Sequence, residues 1–160
     1  MRVYFLRHGK AESRATWTGE DATRPLTREG EAAVRREAAA LARLGLEPDL
    51  MVTSPLARAM RTAELVAEAL GMAGRLVVDG RLAHGFDARR LAELVSEHGQ
   101  VEEVLVVGHE PDFSETVEEL TGGGTVVLKK GGLARVDLEA PVPGGGALVW
   151  LLTPSLLGSG

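Results

Sequence analysis

Four short stretches of this chain carry side chains that could bind or attack an anion. Arg7, His8 and Gly9 stand together after an apolar run near the N-terminus. Arg58 lies shortly after a Ser-Pro pair at 54–55, His84 sits in a polar stretch, and His109 follows Gly108 at the end of an aliphatic run. Two guanidiniums in one cleft repel each other unless an anion lies between them, and their N–H forks suit phosphate or carboxylate oxygens. Nearby positive charge disfavours an imidazolium, so a histidine beside Arg7 is expected to be neutral. A neutral ring keeps a lone pair on one nitrogen, and a hydrogen bond from the other to a carbonyl would fix the tautomer. Such a ring can attack phosphorus to give a phosphohistidine that water hydrolyses. Gly9, having no Cβ, would permit unusual dihedrals and let the backbone approach the ring. The residue types therefore predict an anion pocket best used by a tetrahedral dianion.

These residues can act together only if the fold carries them to one edge, and the hydrophobic pattern predicts that it does. Residues 3–6 read as a buried strand. Residues 27–44 read as a helix with Thr27 as N-cap, stopped by Gly45 and Pro48. A strand at 50–53 leads into a second helix, with Ser54 as its cap and Pro55 at its first position, running to Leu70. A strand at 76–78, a helix from Asp87 to about His98, a strand at 104–107 and a short helix at 112–120 follow. Residues 133–138 and 147–152 read as an antiparallel pair. The alternation predicts an α/β fold of three αβα layers, with a mostly parallel central sheet plus the antiparallel C-terminal pair. In such sheets ligands sit outside the carboxyl ends of the strands. Arg7-His8-Gly9, Ser54 to Arg58, His84 and Gly108-His109 each follow a strand, so one rim is expected to hold them all. Helix N-termini near residues 55 and 112 would add backbone N–H groups there.

Taken singly, each residue has an ordinary explanation. His109 could cap a helix start, and Arg58 could make a surface contact. His98, at a helix end before Gly99, suits the helix dipole and is read as structural. Convergence on one rim is what favours chemistry. The totals narrow the classes further. With 160 residues, one domain spanning 1–160 is expected. The formal net charge of −5 argues against a nucleic-acid partner. The absence of cysteine removes thiolate chemistry and cysteine–zinc sites. No apolar run approaches the ~20 residues of a membrane span, and the N-terminal run is too short for a signal peptide. A cytoplasmic protein with no membrane partner is expected. The four histidines lack ligand spacing and two of the arginines would repel a cation, so neither a metal nor another cofactor is expected.

Three segments carry a family resemblance: "LRHG" at 6–9, "SPLARAMRTAE" at 54–64 and "VVGHEP" at 106–111. Together they resemble the histidine phosphatase (phosphoglycerate mutase-like) superfamily, from the first strand to about residue 153. The resemblance implies that His8 is the nucleophile and that Arg7, Arg58 and His109 hold the phosphoryl oxygens. "TRPLTREG" at 23–30 looks like the SixA branch of small bacterial protein-phosphohistidine phosphatases, in which Arg24 matches an arginine facing the phosphate. One departure stands out. "RLAH" at 81–84 puts His84 where many relatives have a carboxylate proton donor. His84 is one candidate donor, with Glu12 and Asp87 as alternatives, or there is none. A neutral imidazole leaves more readily than an alkoxide, so the missing carboxylate leans toward N–P substrates. The partner implied is a phosphohistidine carrier protein or a small phosphorylated metabolite. A small-molecule phosphomonoesterase and a non-catalytic phosphate-binding module are the alternatives.

Overall fold

Strand β1, Arg2–Arg7, is fully buried from Val3 to Leu6, and its alternating side chains serve two separate cores. In this computed structural model, which describes residues 1–157, Tyr4 and Leu6 pack with Val34 and Leu41 of helix α1 (Arg28–Arg43) and with Ala59, Ala63 and Val66 of helix α2 (Ala57–Ala69). Val3 and Phe5 pack on the other face with Leu91 and Leu94 of helix α3 (Ala88–Ser96) and Phe113, Val117 and Leu120 of helix α4 (Asp112–Thr121). Residues 158–160, the end of the expected 1–160 domain, lie outside the described residues. The remaining strands are β2 (Leu50–Thr53), β3 (Leu76–Val78), β4 (Glu103–Gly108), β5 (Leu133–Leu138) and β6 (Gly146–Leu152), and a short helix α5 covers Pro154–Leu157.

The six strands form one sheet in the order β3-β2-β4-β1-β5-β6. The first four are parallel; β5 runs antiparallel to β1, and β6 antiparallel to β5. The chain thus adopts the three-layer α/β architecture expected from its hydrophobic pattern. Among the described residues no helix is long and apolar enough to cross a membrane.

This order creates the site. Chain leaving β1 and β2 passes to the α1/α2 face, whereas chain leaving β4, which lies between them, passes to the α4 face. Adjacent connections diverge at the tips of β1, β4 and β2, which opens a crevice at their carboxyl ends. The caps follow the sequence at α1, where Thr27 Oγ1 accepts from Gly30 N at 2.9 Å, and at α3, where the Asp87 carboxylate accepts from Arg90 N at 2.8 Å. At α2 the expected cap is wrong. The helix starts at Ala57, its N-cap is Leu56 with no side-chain cap, and Ser54 and Pro55 belong to the preceding turn. That turn frees the Ser54 hydroxyl to face His109.

Candidate active site

The crevice is a cavity of about 770 Å³, lined by Arg7, His8, Arg24, Arg58, His84 and His109 among others. Arg7, His8, Arg58, His84 and His109, which the sequence places on the rim, therefore reach one cavity together with Arg24, whereas Ser54 stands behind its wall. Gly9 does not line it. A hollow of similar size at the opposite strand ends is lined by Glu102, Glu103, Asp137 and Glu139, with no histidine.

His8 follows directly from the tip of β1 and its backbone is tied on every side. Its N–H donates to Gly108 O of β4 at 3.1 Å, and Gly131 N donates to both Arg7 O and His8 O at 3.1 Å. Its Nδ1 lies 2.7 Å from Gly9 O. A carbonyl only accepts, so Nδ1 carries the proton and Nε2 keeps its lone pair. Burial, opposed by the Gly9 bond and reinforced by the charges of His109, Arg58 and Arg7, lowers the His8 pKa to about 3. The ring is neutral at any ordinary pH.

The Gly9 backbone does approach the ring, through its carbonyl, but the unusual dihedral expected there is absent. Its φ is not in the left-handed region. A Cβ there would come within 2.5 Å of Val34 Cγ2, so the missing methyl lets α1 pack against the loop. Gly9 N also donates to Thr62 Oγ1 at 3.1 Å, and that hydroxyl donates to Arg58 O at 2.8 Å. The histidine-bearing loop and the helix carrying Arg58 are thereby joined through one threonine.

His109 lies with its ring centroid 5.2 Å from that of His8. Its Nε2 is 2.7 Å from Ser54 Oγ, which also accepts from Leu56 N at 3.2 Å. When the serine hydroxyl donates to Nε2, the proton of the neutral ring is on Nδ1 and His109 is left with an Nδ1–H donor. Burial first, then the charges of Arg58 and His84, lowers the His109 pKa to about 4. Ser54 is the residue whose part the sequence disguised, because Ser-Pro before a helix reads as a cap.

The arginines are largely withdrawn from water. Arg58 is 3% exposed and Arg24 8%. Burial lowers the Arg7 and Arg58 pKa values, but a guanidinium remains charged. Arg7 Nη1 donates to Leu128 O at 3.0 Å. The Nε atoms of Arg7 and Arg58 are buried and have no hydrogen-bond partner among the described residues.

His84 reaches the site from the turn after β3, its ring stacked on His109 with centroids 6.4 Å apart and planes at 27°. Asp112 holds that turn, its Oδ2 accepting from Gly85 N at 2.8 Å and Phe86 N at 3.3 Å, while Arg90 donates to His84 O at 2.7 Å. Of the other candidate acids, Glu12 lines the cavity. Asp87 does not: its carboxylate is committed to capping α3. Two further carboxylates, Glu110 and Asp112, stand at the wall. The amide donors expected at the start of α4 are partly used, since Phe113 N donates to His109 O and Ser114 N to Glu110 Oε1. Among the described residues no three His, Asp or Glu side chains cluster as metal ligands.

Comparison with known proteins agrees with this geometry. Residues 3–84 match the family described as histidine phosphatase superfamily (branch 1). The phosphohistidine phosphatase SixA of Escherichia coli is 31% identical, over 96% of this chain and 94% of SixA. An uncharacterized protein of Picosynechococcus is 39% identical, over 83% of this chain and 82% of that one. Among solved structures, protein histidine phosphatase SixA complexed with tungstate is similar with a TM-score of 0.82 and 30% identity, over 96% of this chain and 97% of that one.

Proposed function

The chain belongs to the histidine phosphatase superfamily, and we propose that it is a phosphatase that works through a phosphohistidine on His8, with phosphohistidine on a carrier protein as its substrate. The observation that carries the reading is the 2.7 Å contact from His8 Nδ1 to Gly9 O, which leaves Nε2 as an uncharged nucleophile. The similarity to SixA supports the substrate class. No metal or other cofactor takes part in the proposed steps.

Arg7, Arg58, Arg24 and His109 bind the oxygens of the incoming phosphoryl group. His8 Nε2 attacks phosphorus in line as the bond to the leaving group breaks. A leaving imidazole takes up one proton and departs neutral; His84 and Glu12 are the side chains placed to supply it. Water then attacks phosphorus and gives a proton back to the side chain that supplied the first one, the P–Nε2 bond breaks, and phosphate leaves with His8 neutral again. Little covalent chemistry is asked of the protein in such a transfer, so positioning and charge stabilisation supply most of the acceleration. The stiff backbone around His8 and the buried guanidiniums meet that need.

The deciding experiment compares a phosphohistidine carrier protein with an aryl phosphate, each with and without chelator, in wild type and His8→Ala. Turnover of the carrier that survives chelator and vanishes in His8→Ala supports the proposal. Turnover of small esters alone would favour a small-molecule phosphomonoesterase. Phosphate binding without any turnover would reduce the protein to a binding module.

A further inference from the structure

Asp21 sits in a 3-10 turn, Asp21–Thr23, within the excursion that leaves the core at Ala11 and returns at Leu26 through an isolated β-bridge. Its carboxylate is shared between two of the cavity's arginines. Oδ2 accepts from Arg58 Nη2 at 3.1 Å, Oδ1 from Arg24 Nε at 3.1 Å, and the Asp21 carbonyl accepts from Arg58 Nη1 at 3.0 Å. Arg14 Nε is a further 3.7 Å neighbour. Asp21 thus takes the end edge of the Arg58 guanidinium, the Nη1–Nη2 pair. The side edge remains: its Nε is buried with no partner among the described residues, and Arg58 lines the cavity.

We propose that Asp21 is a positioning residue: a counter-carboxylate that orients the free edge of Arg58 toward the phosphoryl group and keeps phosphate from binding too tightly. The inference rests on the reading above, that Arg58 and Arg24 hold the phosphoryl oxygens. A buried guanidinium gripped at one edge has lost the freedom to turn, so its remaining donors are set before the substrate arrives. The carboxylate also repels the dianion from the far side of the same guanidinium. That repulsion acts on bound substrate and released phosphate alike, whereas the alignment counts most when charge spreads in the transition state. Partial burial works to raise the Asp21 pKa, but the bonds and charges of Arg24 and Arg58 prevail and hold it low, so the group is ionised at working pH.

The test measures inhibition by inorganic phosphate together with kcat and KM for an aryl phosphate, in wild type, Asp21→Asn, Asp21→Glu and Arg58→Ala. Asp21→Asn is expected to tighten phosphate inhibition about tenfold, lower KM, and lower kcat about tenfold. Asp21→Glu keeps the charge and should leave phosphate inhibition within about threefold of wild type. A merely structural role would weaken phosphate binding and raise KM in both variants, and that result would overturn the inference. So would Asp21→Asn behaving as wild type, or the two variants behaving alike. If wild type is insensitive to phosphate and Arg58→Ala keeps full kcat, the reading of the site falls and the inference with it. Loss of the Asp21→Asn effect alone leaves the site reading standing.

Discussion

Nδ1 of His8 lies 2.7 Å from the carbonyl oxygen of Gly9, its own neighbour in the chain. That contact decides which ring nitrogen is bare, and the anchoring of the same loop to β4 and to Gly131 decides where the bare nitrogen can go.

Activity should be insensitive to nucleophile ionisation across ordinary pH. His8 is held at a pKa of about 3 and His109 at about 4, so both are neutral above about pH 5. The kcat/KM profile is expected to fall on the acid side only as pH drops toward 4. An acid limb centred near 6.5, the value for an unperturbed histidine, would contradict this.

Stability should also depend on pH, with competing signs. For both histidines the folded pKa lies below the unfolded value, so the unfolded chain binds more protons between about pH 3 or 4 and 6.5. Each then contributes a stability that rises with pH by about 1.4 kcal/mol per pH unit in that window. Glu37 opposes them. Burial raises its pKa to about 7, so above its unfolded value the folded chain holds the extra proton and stability falls as pH rises toward 7. Glu37→Gln is expected to raise the melting temperature at pH 8 but not at pH 4, by an amount equivalent to at most about 3 kcal/mol. Equal melting shifts at both pH values would show that Glu37 is not strained by ionisation.

Ser54→Ala should leave the fold intact and lower kcat about tenfold or more, because His109 Nε2 loses the Ser54 hydroxyl as its partner. Ser54→Thr, which keeps the hydroxyl, should recover part of the loss. Indifference to both changes would remove Ser54 from the account.

Much of the site could be read from the chain because strand tips are recognisable: an aliphatic run that stops at Arg-His-Gly or Gly-His places those side chains at a sheet edge. What could not be read depends on contacts between distant segments. The Ser54 hydroxyl looks like a helix cap until β4 brings His109 beside it. Asp21 looks like a loop residue until α2 delivers Arg58. Gly9 suggests a special dihedral, whereas its absent side chain makes room for Val34, 25 positions along the chain. Asp87 reads as an alternative acid from its place in the sequence, but a free N-terminal amide of α3 claims it first.

Gly9→Ala should therefore destabilise the fold by about 1–3 kcal/mol through overpacking against Val34. The double variant Gly9→Ala with Val34→Ala should recover most of that loss of the clash. A denaturant titration of the four proteins closes the cycle, and strict additivity of the two single changes would show that the methyls never meet.

The most direct measurement is to mix enzyme with a phosphohistidine carrier protein bearing a radiolabelled phosphoryl group, quench in base within the first turnover, and map the label. The account predicts an acid-labile phosphoryl group on Nε2 of His8, formed and lost at rates that match turnover, and absent in His8→Ala. Label on His109 or His84, or turnover with no labelled enzyme at any time, would contradict it.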